Sequence, residues 1–412
     1  MQYTLLAAFS RMFMLQRWNF LPRVESWVES ENIAYTTHLG YALAREATGF
    51  PDELIPHYLA RSLLKSFTKH FLSDVSYRVR DALAQVTGSA GAWSDLVRQQ
   101  CAPTARLFPR KIADRVLGYL ERTGPCTPEQ WERIECVIRY AQLRAAQDEC
   151  RKNSKIHEEY YAPYLEHFAG AMEQQRSSDP LFRELDDLFL GMTTTAEREH
   201  WDSRFPHYFA VIRCLKDLRR WNQVNRSVET SVLGHTFVVA ALAWIYSWMH
   251  EQTISREEAR CPEISQQDFV TRAVLMALFH DVPEGMTGDV ITPVKDKIAR
   301  QWNWGTWQQV EKKLGEETLM RLLQGSPRVC DEIRQLGLLR EEEDPPVYSV
   351  GSLVRACDRL ALIIECVMEH QAGGLPGDMA EAYRKNLGEL QGSEWHHIRE
   401  LGSVISAEYP AG

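Results

Sequence analysis

At 412 residues and 44% hydrophobic content the chain is too long for one ordinary core and rich enough in apolar side chains for two, so two domains of roughly 200 residues are expected. Its net charge of −9 excludes a general nucleic-acid coat, because sequence-independent phosphate binding needs a basic surface. Nine cysteines without a Cys-x-x-Cys pair argue for reduced thiols in a cytoplasm. The opening MQYTLLAAFSRMFMLQRW lacks a basic leader with a cleavage site, and charges are expected to break every later apolar run, so no membrane partner is expected.

In chain order, the first informative element is FSRMFMLQRWN, with Arg17, Trp18 and Asn19, because it recurs as FAVIRCLKDLRRWN, with Arg220, Trp221 and Asn222. A histidine at a helix start follows each, His38 and His235. Ser62 to Arg80 lies without gaps on Ala277 to Lys295, setting Lys65, Ser66, Lys69 and Asp74 opposite His280, Asp281, Glu284 and Asp289. Ile134-Glu135-Cys136-Val137 matches Ile364-Glu365-Cys366-Val367, which sets Pro128 opposite Asp358, with Glu129 beside it. Four matches in one order imply a duplication. Its boundary falls near 175 to 195, where QQRSSDP interrupts the helical pattern, giving units 1–185 and 186–412.

In the second unit Ser231 to His250, Thr271 to His280 and Leu353 to His370 carry dense, helix-compatible apolar patterns, separated by polar connections at Glu251 to Asp268 and Arg340 to Pro346. The expected class is all-α. His280 and Asp281 are adjacent and Glu284 stands four and three residues beyond them, so a helix brings all three to one neighbourhood. Asp358 sits among apolar residues, where an isolated carboxylate is costly unless paired or metal-bound. His235 opens an apolar run. Two imidazoles and two carboxylates suit a divalent cation. Taken singly, each has a plainer reading: a satisfied core histidine, a solvated glutamate at Glu284, a surface salt bridge at Arg220, a core aromatic at Trp221, a cap or turn residue at Asp289. His250 and His370 suit helix ends, and His396 and His397 suit solvent.

The order His235, His280-Asp281, Asp358 resembles the HD-domain metal phosphohydrolase superfamily. Arg220-Trp221, the run ALFHDVPEGMTGDVITPVK and ACDRL are similar to its 5′-deoxynucleotidase branch. The resemblance implies an all-α fold and one divalent metal (Mn, Co, Mg, Fe, Ni or Zn) on His235, His280, Asp281 and Asp358. It also implies hydrolysis of deoxynucleoside 5′-monophosphates. Glu284 would be the catalytic carboxylate and Arg220 would meet the phosphate. Trp221 would line the sugar pocket against a 2′-hydroxyl, and Asp289 would orient water or the sugar. Thr292 and Lys295 would make phosphate or structural contacts. A diiron oxygenase is disfavoured, since no histidine lies between Asp281 and Asp358. One departure is Gly234, where the family segment carries Glu before the first ligand. Lys65 opposes metal binding, so the first unit is expected to be a degenerate, non-catalytic HD-like domain. The two tandem domains would form a pseudo-dimer, as a monomer or within a homo-oligomer. The alternatives are a deoxynucleoside triphosphate triphosphohydrolase or phosphodiesterase, and a nucleotide-sensing regulatory or scaffold protein.

Overall fold

The computed structural model describes residues 2–198, 208–257, 264–288, 326–336 and 347–410, with a few isolated positions between 297 and 323. Among the described residues all regular structure is helical, apart from isolated antiparallel bridges joining Gln16 to Val28 and Arg219 to Ser231. Side-chain caps define several helix starts: the hydroxyl oxygens of Ser231, Ser265 and Ser349 accept from the backbone N–H groups of Gly234, Asp268 and Ser352.

Two helices, Glu29–Glu46 and Val232–Met249, lie against each other at the centre. The first is wrapped by Ile55–Leu64 and Pro128–Ser154, the second by Gln266–Phe279 and Val350–Ala372. Val232–Met249 corrects one expectation, since no Asp, Glu, Lys or Arg interrupts it and it is long and apolar enough to cross a bilayer. Every one of its residues is buried within the protein. A helix that is apolar all round belongs in a core, and the surrounding helices supply one.

The two halves share that core. Phe9 of the first half packs edge-on against Phe67 at 5.4 Å and against Phe237 of the second at 6.2 Å, while Tyr119 meets Trp244 at 5.8 Å. Fully burying side chains of this class stabilises by about 1.5–3 kcal/mol each, so the seam between the halves is part of what holds the fold.

The approach to each central helix is built identically. Arg17 N–H donates to Trp27 C=O and Glu29 N–H to Leu15 C=O, both at 2.9 Å. Arg220 N–H donates to Thr230 C=O and Val232 N–H to Leu218 C=O, both at 3.0 Å. Trp18 and Trp221 take left-handed backbone conformations, φ 52° and 58°, which bulky residues adopt only when their surroundings impose them. The spacing that separates Arg17 from Arg220 also carries Glu29–Glu46 onto Val232–Met249 end to end. It therefore places Asn32, not His38, at the position of His235. Register is set by the loop hydrogen bonds, and His38 is further along its helix, bonded through Nδ1 to the Tyr208 hydroxyl at 2.8 Å.

Candidate metal and phosphate site

His235 lies in the first turn of Val232–Met249, fully buried. Its Nδ1 is 2.9 Å from Glu365 Oε1 and its Nε2 2.7 Å from Asp358 Oδ1. Burial and Arg220 oppose a charge on the ring, yet the carboxylates at its two nitrogens outweigh them and lift the imidazole to about 9. Burial likewise opposes ionisation of Asp358, but His235, His280 and Arg220 hold its carboxyl well below the usual range. The site thus favours positive charge between Nε2 and Asp358.

His280 follows directly on Gln266–Phe279. Its Nδ1 is 2.7 Å from the Ala277 carbonyl oxygen, which can only accept, so Nδ1 carries a proton and Nε2 is the nitrogen that could meet a cation. That Nε2 is buried and makes no hydrogen bond among the described residues. Ligand atoms of His235, His280 and Asp358 lie within 4.8 Å of one another. Two imidazole nitrogens and a carboxylate that is 44% exposed make a donor set that could hold a divalent cation while staying open to substrate.

Asp281 falls at the edge of this group. Its Oδ2 is 3.2 Å from His280 Nε2, but it does not share the mutual 4.8 Å cluster. Consecutive residues point about 100° apart around a helical turn, so Asp281 approaches from another side than His280. Glu284 begins the short helix Glu284–Thr287, and its charge acts on Arg220 together with those of Glu365, Asp281 and Asp358. This turn lies tight on Tyr208–Asp217: a Cβ on Gly285 would come within 2.7 Å of Val211. Asp289, Thr292 and Lys295 lie outside the described residues.

Glu365 is the residue that sequence reasoning used only as part of a repeat. It stands seven residues beyond Asp358, two turns along Val350–Ala372 on the same face, and is fully buried. Besides His235 it accepts hydrogen bonds from Arg220 Nε at 3.3 Å, Trp221 Nε1 at 2.9 Å and Thr230 Oγ1 at 3.1 Å. Burial opposes its ionisation, but Arg220 and His235 outweigh it and bring the carboxyl down to about 2. A glutamate inside the otherwise apolar stretch Leu360–Met368, in phase with a candidate ligand, was the available signal. One turn on, Glu369 accepts from the backbone N–H groups of Ser227 and Val228 at 2.6 and 3.0 Å, locking the Arg220 loop to the helix.

The first half repeats this frame. Glu149 accepts from Arg17 Nε at 3.2 Å and from Trp18 Nε1 at 2.7 Å, and Asn153 Oδ1 accepts from Val24 and Glu25 N–H at 2.8 and 2.9 Å. Glu149, not Glu135, therefore occupies the place of Glu365. The same step back along the helix puts Gln142, not Pro128 or Glu129, opposite Asp358. The tetrapeptide match failed because short apolar strings recur on any buried helix, whereas the Arg-Trp-Glu contact is specific. Glu31 of the first half also crosses to the second, accepting from Ser231 Oγ at 2.7 Å beside the cap of the His235 helix. Gly234 leaves room for this contact: a Cβ there would meet Ser30 Oγ at 3.0 Å and Phe13 at 3.2 Å. A second histidine grouping, His396, His397 and Glu400, lies at the surface.

Residues 207–406 match the family described as YfbR-like 5′-deoxynucleotidase. The chain is similar to a 5′-deoxynucleotidase of Cronobacter sakazakii, 23% identical over 47% of this chain and 89% of the relative. It is also similar to one of Pectobacterium atrosepticum, 25% identical over 50% and 91%, and one of Photorhabdus temperata, 27% identical over 43% and 80%. Carrying the His235–Asp358–His280 grouping, residues 207–406 of this chain belong to the HD-domain metal phosphohydrolases, in their YfbR-like 5′-deoxynucleotidase branch.

Proposed function

We propose that the second half removes the 5′-phosphate from deoxynucleoside monophosphates, using one divalent cation held by His235, His280, Asp281 and Asp358. The observation that carries this reading is the convergence of two imidazole nitrogens and the Asp358 carboxylate within 4.8 Å. Each ring is anchored at Nδ1, by Glu365 and by Ala277 C=O, so that Nε2 faces inward. The cation, when bound, supplies Lewis acidity toward a phosphate oxygen and acidifies water. Manganese, cobalt, magnesium, iron, nickel and zinc all suit mixed nitrogen and oxygen donors.

The chain's own groups do the rest. Arg220 commits Nε to Glu365, and its two terminal nitrogens make no hydrogen bond among the described residues, leaving the fork for two phosphate oxygens. Glu284 takes the proton from the attacking water onto its carboxylate and passes it to the departing 5′-oxygen, so phosphate and the deoxynucleoside leave. Trp221, its indole N–H held by Glu365, lines the sugar side and excludes a 2′-hydroxyl. Asp289 orients water or sugar, and Thr292 and Lys295 contact the phosphate. The relatives' names support the deoxyribose preference.

We further propose that 1–185 and 186–412 are tandem copies, the first degenerate and non-catalytic, joined as a pseudo-dimer. The repeated Arg-Trp-Glu frame and the shared core support this. A reducing, cytoplasmic setting is supported by the described cysteines, none of which forms a disulfide with another. A panel of nucleoside mono- and triphosphates with several divalent metals tests the activity, comparing wild type with Asp281→Ala and Glu284→Ala. Phosphate release from deoxynucleoside monophosphates, lost in both variants, is expected. Full activity of Asp281→Ala, or triphosphate as the product, would overturn the reading. Residues 186–412 expressed alone are expected to aggregate through the uncovered Phe237 face, and a stable, fully active monomeric fragment would remove the pseudo-dimer.

A further inference from the structure

The first half contains a cavity of about 430 Å³ at the place where the second half has its metal and phosphate site. This volume lies within the roughly 300–1,000 Å³ of small-molecule sites. Its wall includes Arg17 and Trp18, the counterparts of Arg220 and Trp221, and Asn32, Lys65, Ser66 and Gln142, the counterparts of His235, His280, Asp281 and Asp358. Every metal-ligating type has gone, while the arginine and the indole remain on their buried glutamate. An amine now stands where an imidazole would face a cation.

The wall carries six cations, Arg17, Arg61, Lys65, Lys69, Arg80 and Arg139, against one carboxylate, Asp74, which stands 3.6 Å from Lys69. Arg17, Arg61 and Lys69 are neutralised by Glu149, Glu135 and Glu29 at 3.2, 2.7 and 2.7 Å. Three further cations, Lys65, Arg80 and Arg139, line the cavity without a carboxylate within 4 Å among the described residues. The Lys65 amine makes no hydrogen bond or ion pair among the described residues, and burial pushes it down to about 7, with Glu135 opposing. Asn32 is 4% exposed and its Oδ1 has no hydrogen-bond partner. Unpaired positive charge in a partly buried cavity is a cost that a dianionic ligand removes. Trp93, faced by Arg80 at 4.7 Å, and Trp18, packed on Phe168 at 6.1 Å, line the same space with aromatic surface.

We propose that this cavity binds a nucleoside 5′-monophosphate without hydrolysing it, Lys65 with Arg80 and Arg139 holding the phosphate and the aromatic wall holding the nucleoside. A phosphate monoester carries about −1.5 to −2 charge at neutral pH, which matches the unpaired cations. Binding needs no metal, because Arg80 and Arg139 with Lys65 supply the charge, and no bond is broken, because no donor set remains to activate water.

The test uses the full chain carrying Arg220→Ala and Asp281→Ala, in EDTA, so that the second site neither turns over nor holds phosphate through its arginine. Titration calorimetry with deoxyadenosine 5′-monophosphate should show one saturable site per chain, and deoxyadenosine or inorganic phosphate alone should bind at least tenfold more weakly. Adding Lys65→Met should weaken binding tenfold or more, while Lys65→Arg should keep it; thermal melting confirms that each variant is folded. An independent variant, Arg80→Ala, should also weaken binding. Absence of saturable binding in the double variant, a strict requirement for added metal, equal affinity for inorganic phosphate, or indifference to both Lys65→Met and Arg80→Ala would each overturn the assignment. Because the readout is binding in EDTA, it stands or falls separately from the phosphatase reading.

Discussion

Around Arg17 and around Arg220 the chain builds one frame: a tryptophan with positive φ, a buried glutamate accepting from arginine and indole, and a residue one turn on that ties the loop to the helix. What faces the cavity differs, Asn32, Lys65, Ser66 and Gln142 on one side and His235, His280, Asp281 and Asp358 on the other. The difference teaches which parts of such a site can drift. Removing one partner of a buried ion pair costs about 3–5 kcal/mol, so Arg17 and Glu149 hold each other in place whatever lines the rest of the cavity. The four wall residues lie outside that pair, and those are the ones that differ.

The largest effect that would sharpen this comparison is on turnover. Asp358→Ala removes a donor from a site that supplies several kcal/mol, predicting a loss of about 10³-fold or more in kcat/KM, while Gln142→Ala at the equivalent place leaves kcat within experimental error. Equal losses in a phosphate-release assay would break the distinction between the halves. Next come the paired hubs. Glu365→Gln disturbs His235, Arg220 and Trp221 together and should cost about 10–100-fold in metal affinity or activity, as groups supporting metal ligands do. Glu149→Gln should instead lower stability by about 3–5 kcal/mol in denaturant unfolding, with turnover per folded molecule unchanged.

A smaller effect separates the crossing contact. Burial lifts the Glu31 carboxyl to about 6, with the Val28 N–H and Ser231 hydroxyl opposing. A carboxylate raised in the folded state binds its proton more tightly there than in the unfolded chain. Its contribution is therefore fully present below the unfolded value of about 4.5 and is lost as pH rises through 6, a loss of about 2 kcal/mol. Glu31→Gln should flatten the stability profile across that window, and an unchanged slope would remove Glu31 as its source. Smallest is Gly234→Ala, where a helix gain of about 0.5–1 kcal/mol meets the tight approach of Ser30 and Phe13, leaving little net change in melting temperature. Gly234→Glu, restoring the family residue, should be strongly destabilising because the first half already fills that space.

The sequence by itself determined the all-α class, since dense helical periodicity is a local property. It also singled out His235, His280, Asp281 and Asp358 as a set, because their order resembles that of the HD-domain metal phosphohydrolases, and the structure brings ligand atoms of the first, second and fourth within 4.8 Å of one another. Only the tertiary structure decided the register of the repeat, with Asn32 and Gln142 opposite His235 and Asp358, the hub at Glu365, and the passage of Glu31 across to Ser231. These contacts join residues far apart in the chain, and no local pattern encodes which buried glutamate meets which arginine. That choice is made when the helices pack, where leaving a buried charge unpaired costs more than any single propensity can offset.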